Sequence, residues 1–84
     1  MVKESLKLEL QNGLEARPAA LFVQIASKFE SHISVIVNEK QVNAKSIMGM
    51  MSLSVGSGDE VVVVAEGADE EAAASEIELY LQAQ

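Results

Sequence analysis

The stretch Gly13-Leu14-Glu15-Ala16-Arg17-Pro18-Ala19 separates a segment with the period of a strand from a segment with the period of a helix. Before it, leucines at positions 6, 8 and 10 alternate with polar residues, which is the pattern of a half-buried strand. After it, apolar residues recur at positions 21, 22, 25, 26 and 29, which is helical spacing. Pro18 suits the first turn of a helix, where its missing N–H costs nothing. The sequence therefore predicts a strand, a break at Asn12-Gly13 and a helix over residues 17–28.

The rest of the chain carries three further strand patterns and two helices. His32–Val37 is rich in β-branched residues, residues 38–40 form a turn, and residues 41–44 can pair back as a short hairpin partner. Glu60–Glu66 is an unbroken, largely β-branched run, which is typical of a central strand. Ser46 begins a short helix, and Asp69 caps a final helix whose apolar stripe lies at positions 73, 77, 80 and 81.

The predicted order of elements is β-α-β-β-α-β-α, without an internal repeat and without a linker long enough to divide the chain. Residues 1–84 are therefore expected to form a single domain. The economical packing is an α+β fold, an open-faced β-sandwich in which a four-stranded antiparallel sheet carries three helices on one face. The opposite face of such a sheet can remain in water.

Composition narrows the chemistry available to the chain. Hydrophobic residues make up 49% of the sequence but aromatic residues only 4%, so the core must be built from aliphatic side chains. Cysteine is absent, which excludes a disulfide framework and a thiolate metal site. The amino-terminal residues lack the apolar core of a signal peptide, and no segment approaches the ~20 apolar residues that span a bilayer. A cytoplasmic protein without a membrane segment is expected.

The net charge of −7 is unevenly distributed. The first 58 residues hold all six Lys and Arg residues and five acids, whereas the remaining residues hold eight acids and no base. Nucleic-acid binding needs a basic face for phosphate contacts, so direct binding is disfavoured. A role in gene control would run through a protein partner.

Four groups of residues stand in the register of one known family. They are Gly13-Leu14-x-Ala16-Arg17-Pro18-Ala19, Ala26-Ser27-Lys28-Phe29, Lys45-Ser46-Ile47-Met48-Gly49-x-Met51-Ser52-Leu53 and Ala65-Glu66-Gly67-Ala68-Asp69-Glu70. In these groups, and across essentially its whole length, the chain resembles the HPr family, the histidine-containing phosphocarriers of the bacterial sugar phosphotransferase system.

Glu15 departs from the carrier pattern, because a carrier has the phosphate-accepting histidine at this position. The branch of the family that lacks this histidine and keeps the serine is Crh, the catabolite repression HPr of Gram-positive bacteria, and residues 19–24 and 42–46 also look Crh-like. Crh usually has glutamine here, so Glu15 differs from that branch as well. A carboxylate at a former phosphocarrier position argues against sugar transport and for regulation.

The resemblance implies a non-catalytic protein that HPr kinase/phosphorylase phosphorylates on Ser46. The phosphorylated form would act as corepressor for CcpA, a LacI-type catabolite control protein that itself contacts DNA. A plain reading of Ser46, as a helix N-cap worth ~1 kcal/mol, is compatible with this role. Partner contacts are expected from Arg17 and from a set comprising Ala20, Leu21, Gln24, Ile47, Met48 and Met51. Some of the apolar members must also be core, since a short helix has to dock.

Three alternatives remain at this level. The chain could be a phosphocarrier, which requires Glu15 or His32 to take phosphate, although His32 lies in a strand pattern without a neighbouring arginine. It could also be an HPr in which Glu15 replaces the active-site histidine to imitate or block phosphorylation. Thirdly, a first strand that detaches near Asn12-Gly13 could turn a monomer into a strand-swapped homodimer. No cofactor and no metal ligand set is predicted.

Overall fold

The computed structural model describes residues 1–9, 16–53, 55, 56 and 58–82. Within them the elements run β1 (Val2–Lys7), α1 (Ala16–Ser27), β2 (His32–Val37), β3 (Lys40–Asn43), α2 (Ile47–Met51), β4 (Glu60–Glu66) and α3 (Glu70–Leu81). The predicted order β-α-β-β-α-β-α is confirmed, and so are the bounds of the second and last strands. Gly13, Leu14 and Glu15 of the opening stretch lie outside the described residues.

The four strands form one antiparallel sheet in the order β1-β4-β2-β3. The run of β-branched residues in β4 is therefore central, as predicted, with β1 on one side and β2 on the other. Its residues alternate between buried and half-buried, so Val61 and Val63 face the helices while Val62 and Val64 lie on the open face. β4 is apolar on both faces. Its residues on the open face are only half-buried, and the neighbouring strands β1 and β2 flank them on either side.

A two-residue turn joins β2 to β3. Asn38 and Glu39 have positive φ values of 51° and 70°, and Val37 and Lys40 pair directly after them. Two left-handed residues give the turn the twist of the strands that it connects. Lys40 was predicted in the turn and residue 44 in the strand; instead the strand begins at Lys40 because this turn needs only two residues.

The three helices cover one face of the sheet and enclose the core with it. α1 begins and ends one residue earlier than predicted, and the chain closes it with short-range bonds from the Lys28 and Phe29 N–H groups to the Ile25 and Ala26 carbonyls. The largest fully buried apolar side chains are Phe22, Leu8, Ile33, Met50, Ile77, Leu81, Val35 and Val61. The fold is thus the predicted open-faced β-sandwich, with an aliphatic core and one buried phenylalanine.

Asp69 occupies the N-cap position of α3, but its side chain makes no bond to its own helix. Its carboxylate accepts bonds from the backbone N–H groups of Glu30 and Ser31 and from the Ser31 hydroxyl. Glu70 reaches back instead, and its carboxylate accepts a bond from the Gly67 N–H at 3.1 Å. The prediction that Asp69 caps α3 is wrong for the side chain, because donors from a distant turn occupy both carboxylate oxygens.

No helix in the described part of the chain is both long and apolar enough to cross a membrane.

Candidate functional site

Ser46 is held at the start of α2 by three hydrogen bonds. Its hydroxyl oxygen accepts a bond from the Gly49 N–H at 3.1 Å, which is the predicted N-cap contact. Its backbone N–H donates to the Asn43 carbonyl at 3.0 Å, and its carbonyl accepts from the Met50 N–H at 2.9 Å. The side chain is half-buried. The oxygen is therefore held in place while the hydroxyl proton remains available for donation.

The turn before Ser46 is fixed from both sides. The Asn43 side-chain oxygen accepts a bond from the Lys45 N–H at 2.8 Å, which is a local bond typical of turn asparagines. The Lys45 ammonium group donates to the Phe29 carbonyl at 2.7 Å, beyond the end of α1. Lys45 thus ties the Ser46 turn to α1, so the start of α2 has a defined position relative to the first helix.

Four exposed apolar side chains lie on α1 and α2, and two of them directly follow Ser46 in the chain. The exposed fractions are 40% for Ile47, 81% for Met48, 53% for Met51 and 43% for Leu21. We call these four residues the apolar patch. α2 carries no charged residue in its first or last turn. A phosphate on Ser46 would therefore add a strong negative charge next to a short helix that carries no charge of its own.

Met50 anchors α2 to the core, where its side chain is fully buried. We expected part of the set Ile47, Met48 and Met51 to serve this purpose, and that expectation is wrong because all three are exposed. One buried side chain suffices for a helix of five residues, since only one face of such a short helix can meet the core. Met50 was missed, although its spacing of three positions from Leu53 could have indicated it.

The remaining predicted contact residues lie on α1. Arg17 is exposed in the first turn of the helix, Ala20 is half-buried, and Gln24 is exposed one turn after Leu21. Leu21 and Gln24 also line an open cleft of about 220 Å³ between α1 and α3, together with Ile25, Lys28 and Tyr80. The structure thus brings the predicted contact residues onto adjoining surfaces of two packed helices.

Tyr80 fixes one wall of this cleft. Its hydroxyl donates to the Pro18 carbonyl at 2.8 Å, and its ring packs edge-on against Phe22 with centroids 6.2 Å apart. Lys28 and Glu76 form an ion pair across the same helices. Burial raises the pKa of the Tyr80 hydroxyl, which therefore stays a hydrogen-bond donor at neutral pH. The Tyr80 contacts hold the amino-terminal half of α1 against α3, and the ion pair joins the carboxyl end of α1 to the same helix.

Glu15 and His32 are the two alternative phosphate acceptors, and the structure describes only His32. Glu15 lies outside the described residues. His32 is exposed at the first position of β2 and pairs with Glu66 of β4. Within residues 1–9, 16–53, 55, 56 and 58–82, no group of three or more His, Cys, Asp or Glu residues has an arrangement suited to a metal ion.

Gly49 is a second residue of the site that the sequence did not single out. It donates the N–H that holds the Ser46 oxygen. A β-carbon added at Gly49 would lie 3.3 Å from that same oxygen and 3.5 Å from the Val42 β-carbon. Its position three residues after an N-cap serine indicates the N–H contact. Only the packing reveals how little room a side chain at position 49 would have.

Comparisons with known proteins agree with this fold. A family model described as "PTS HPr component phosphorylation site" matches residues 2–83. The HPr-like protein Crh of Bacillus subtilis is 49% identical over 82 residues, covering 98% of this chain and 96% of the relative. A crystal structure of the phosphocarrier protein HPr from Bacillus anthracis superimposes with a TM-score of 0.94 at 47% identity, covering 96% of each chain.

A crystal structure of Bacillus subtilis Crh, described as a dimer with a swapping domain, superimposes with a TM-score of 0.78 at 49% identity. It covers 98% of this chain and 94% of that one. Carriers and Crh proteins thus match this chain at similar identity, so overall identity does not separate the two branches. Because the family model and the relatives of both branches extend over nearly its full length, the chain belongs to the HPr family.

Proposed function

We propose that this protein is a regulator of carbon catabolite repression, phosphorylated on Ser46 by HPr kinase/phosphorylase and acting in the cytoplasm. The observation that carries the proposal is the geometry of Ser46, a fixed helix N-cap that is directly followed in α2 by the exposed Ile47 and Met48 of the apolar patch. The similarity to Crh supports the same role. On this proposal the chain performs no catalysis and binds no cofactor.

The phosphorylated protein would act as corepressor of the LacI-type regulator CcpA. A phosphate on Ser46 adds about two negative charges beside an uncharged helix and offers acceptors for basic groups of the partner. The partner contacts would be Arg17, Ala20, Leu21 and Gln24 on α1 together with Ile47, Met48 and Met51 on α2. Exposed methionines suit a surface that must fit both the kinase and the regulator, because their flexible side chains adapt to different partners.

Arg17 would set the orientation of the complex. It stands in the first turn of α1, and its planar guanidinium can bind a carboxylate or a phosphate of a partner through two parallel bonds. Glu15 precedes this turn in the sequence, and the positive end of a helix dipole favours a carboxylate at such a position. The same carboxylate would imitate part of the charge of a phosphorylated loop. An exposed ion pair between Glu15 and Arg17 would contribute only ~0–1 kcal/mol to stability, so its role would lie in partner recognition.

Intact-mass analysis after incubation with HPr kinase and ATP tests the proposal. We expect the wild-type protein to gain one phosphate and Ser46→Ala to gain none. Ser52→Ala is the matched control, because Ser52 lies at the other end of α2 and its hydroxyl donates to the Gly49 carbonyl at 2.6 Å. Equal labelling of the wild type and Ser46→Ala would contradict the assignment.

A phosphocarrier of the sugar phosphotransferase system is the second candidate. The similarity to a carrier at 47% identity with a TM-score of 0.94 favours it. It requires Glu15 or His32 to accept phosphate from enzyme I, with Glu15 forming an acyl phosphate. Incubation with phosphoenolpyruvate and enzyme I, followed by mass mapping, separates the candidates: stable loading of either residue would replace the regulatory proposal.

A further inference from the structure

Gly49 of α2 lies directly against the Ser46 side chain. Its N–H donates to the Ser46 hydroxyl oxygen at 3.1 Å. A β-carbon at position 49 would lie 3.3 Å from that oxygen, 3.4 Å from the Ser46 β-carbon and 3.5 Å from the Val42 β-carbon. One residue thus both orients the hydroxyl oxygen and leaves space beside it.

We propose that Gly49 is a positioning residue for phosphorylation, because the missing side chain keeps one side of the Ser46 oxygen open to the incoming phosphoryl group. This inference rests on the proposed function. It concerns which residue, besides the serine itself, allows the kinase to use this chain as a substrate. Gly49 acts through Ser46 and need not touch ATP.

The transfer step shows why the space matters. The Ser46 oxygen forms a bond to the γ-phosphorus of ATP, the bond from that phosphorus to the bridging oxygen of ADP breaks, and the hydroxyl proton passes to a base of the kinase. One lone pair of the oxygen is already engaged by the Gly49 N–H, so attack must use another direction. A methyl group 3.3 Å from the oxygen would occupy part of the volume that the phosphoryl oxygens need.

We expect the unmodified fold to accommodate a methyl group at this position. Contacts of 3.3 to 3.5 Å are tight but require shifts of only a few tenths of an ångström from the neighbours. Alanine is also the better helix former, which offsets the crowding. A loss of phosphorylation in Gly49→Ala would therefore reflect the geometry around the oxygen and not unfolding of α2.

Steady-state phosphorylation by HPr kinase with ATP tests the proposal on full-length wild type, Gly49→Ala and Gly56→Ala. Gly56→Ala is the matched control: it makes the same chemical change outside α2, where an added β-carbon meets Asp59 only at 3.8 Å. We expect kcat for Gly49→Ala to fall about tenfold or more, because small misplacements of reacting groups are costly. Its KM should stay within about twofold of wild type, since the apolar patch is unchanged. Gly56→Ala should behave as wild type.

Each outcome decides the matter. If wild type is phosphorylated and Gly49→Ala keeps the wild-type kcat, the role of Gly49 is refuted while the proposed function stands. If wild type gains no phosphate, the proposed function fails and takes this inference with it. Circular dichroism and thermal melting accompany the kinetics: a Gly49→Ala protein that is unfolded, or whose KM rises as kcat falls, would also overturn the inference, because it requires a folded chain with intact docking.

Discussion

Asp69 and Ser31 are joined across the fold by two hydrogen bonds to one carboxylate oxygen. The Ser31 N–H and the Ser31 hydroxyl both donate to this oxygen, while the Glu30 N–H donates to the other at 2.9 Å. Ser31 is fully buried. A residue at the start of α3 thereby fixes the turn between α1 and β2, which satisfies backbone donors that neither element could satisfy itself.

Replacing Asp69 by Asn should lower the thermal midpoint at neutral pH and have little effect in acid. Hydrogen bonds from the Ser31 hydroxyl, and then from the Glu30 N–H, hold the pKa of the Asp69 carboxyl below its ordinary value. The stabilisation is therefore fully present above the pKa of the unfolded chain and is lost as pH falls through the lower folded pKa.

Thermal melts of wild type and Asp69→Asn between neutral and acid pH provide the measurement. Glu71→Gln, in the first turn of the same helix, is the control for a lost charge at this helix start. A difference between Asp69→Asn and wild type that stays constant across the pH range would argue against the carboxylate as the source.

Gly67→Ala should destabilise the fold more than Gly58→Ala. Both residues have positive φ, 154° for Gly67 and 94° for Gly58, so both substitutions strain the backbone. At Gly67 the added β-carbon would also lie 2.7 Å from the Ser31 α-carbon, whereas at Gly58 it meets nothing within 4 Å. We expect losses of about 3 kcal/mol and about 1 kcal/mol respectively. Urea unfolding measures both, and equal losses would show that the contact with Ser31 contributes nothing.

Glu4→Gln should stabilise the protein at neutral pH by about 0.5 kcal/mol, a small gain because Glu4 is only half-buried and solvent screens its charge. Partial desolvation, and then the nearby Glu78 carboxylate, raise the pKa of Glu4 on the edge strand β1. A raised folded pKa means that the folded state holds its proton more tightly, so stability falls as pH rises through that pKa. The gain should vanish below about pH 4, where the unfolded chain is also protonated.

Urea titrations of wild type and Glu4→Gln at neutral and acid pH measure this gain. Glu60→Gln is the control, since Glu60 is an exposed acid at the end of the neighbouring strand. A neutral-pH gain of the same size in both variants would indicate a general effect of net charge and not the Glu4–Glu78 contact.

Exchange of β1 between two chains should appear as a concentration-dependent crosslink. Ser5 and Val62 are direct partners in the antiparallel pair of β1 and β4, and the chain has no cysteine, so Ser5→Cys/Val62→Cys introduces one defined pair. A swapped dimer re-forms the same strand contacts, so mass action sets the balance between the two forms. We expect an internal disulfide after dilute incubation and a growing fraction of covalent dimer after concentrated incubation, as read on non-reducing gels.

A related structure, that of Bacillus subtilis Crh, is described as a dimer with a swapping domain. An internal crosslink at every concentration would contradict exchange of β1. The single substitution Ser5→Cys is the control, because it can form only a symmetric dimer between two exposed edge strands.

Met48→Ala should weaken binding of the Ser46-phosphorylated protein to CcpA by about tenfold, or about 1.4 kcal/mol, with little change in stability. Met48 is 81% exposed, so its truncation removes almost no core contact. Leu79→Ala is the matched control, since Leu79 is 72% exposed on α3, outside the apolar patch. Calorimetry on both phosphorylated variants measures the effect; equal affinities would remove Met48 from the proposed interface.

The sequence by itself determined the order and type of the elements. The β-branched content of β2, the apolar run of β4 and the helical spacing around Phe22 each depend on residues a few positions apart, so a local pattern is enough to predict them. The N-cap role of Ser46 was predictable for the same reason, because its acceptor and the Gly49 N–H lie only three positions apart.

Only the tertiary structure decided which side chains do what between elements. Met50, and not its neighbours, anchors α2; Asp69 binds a turn 38 positions away instead of its own helix; and the space beside the Ser46 oxygen depends on Val42 of β3. Periodicity cannot predict these relationships, because they arise where helices and strands that are distant in sequence pack together. Short-range sequence patterns therefore determine the helices and strands, whereas the geometry of the proposed phosphorylation site depends on how these elements pack together.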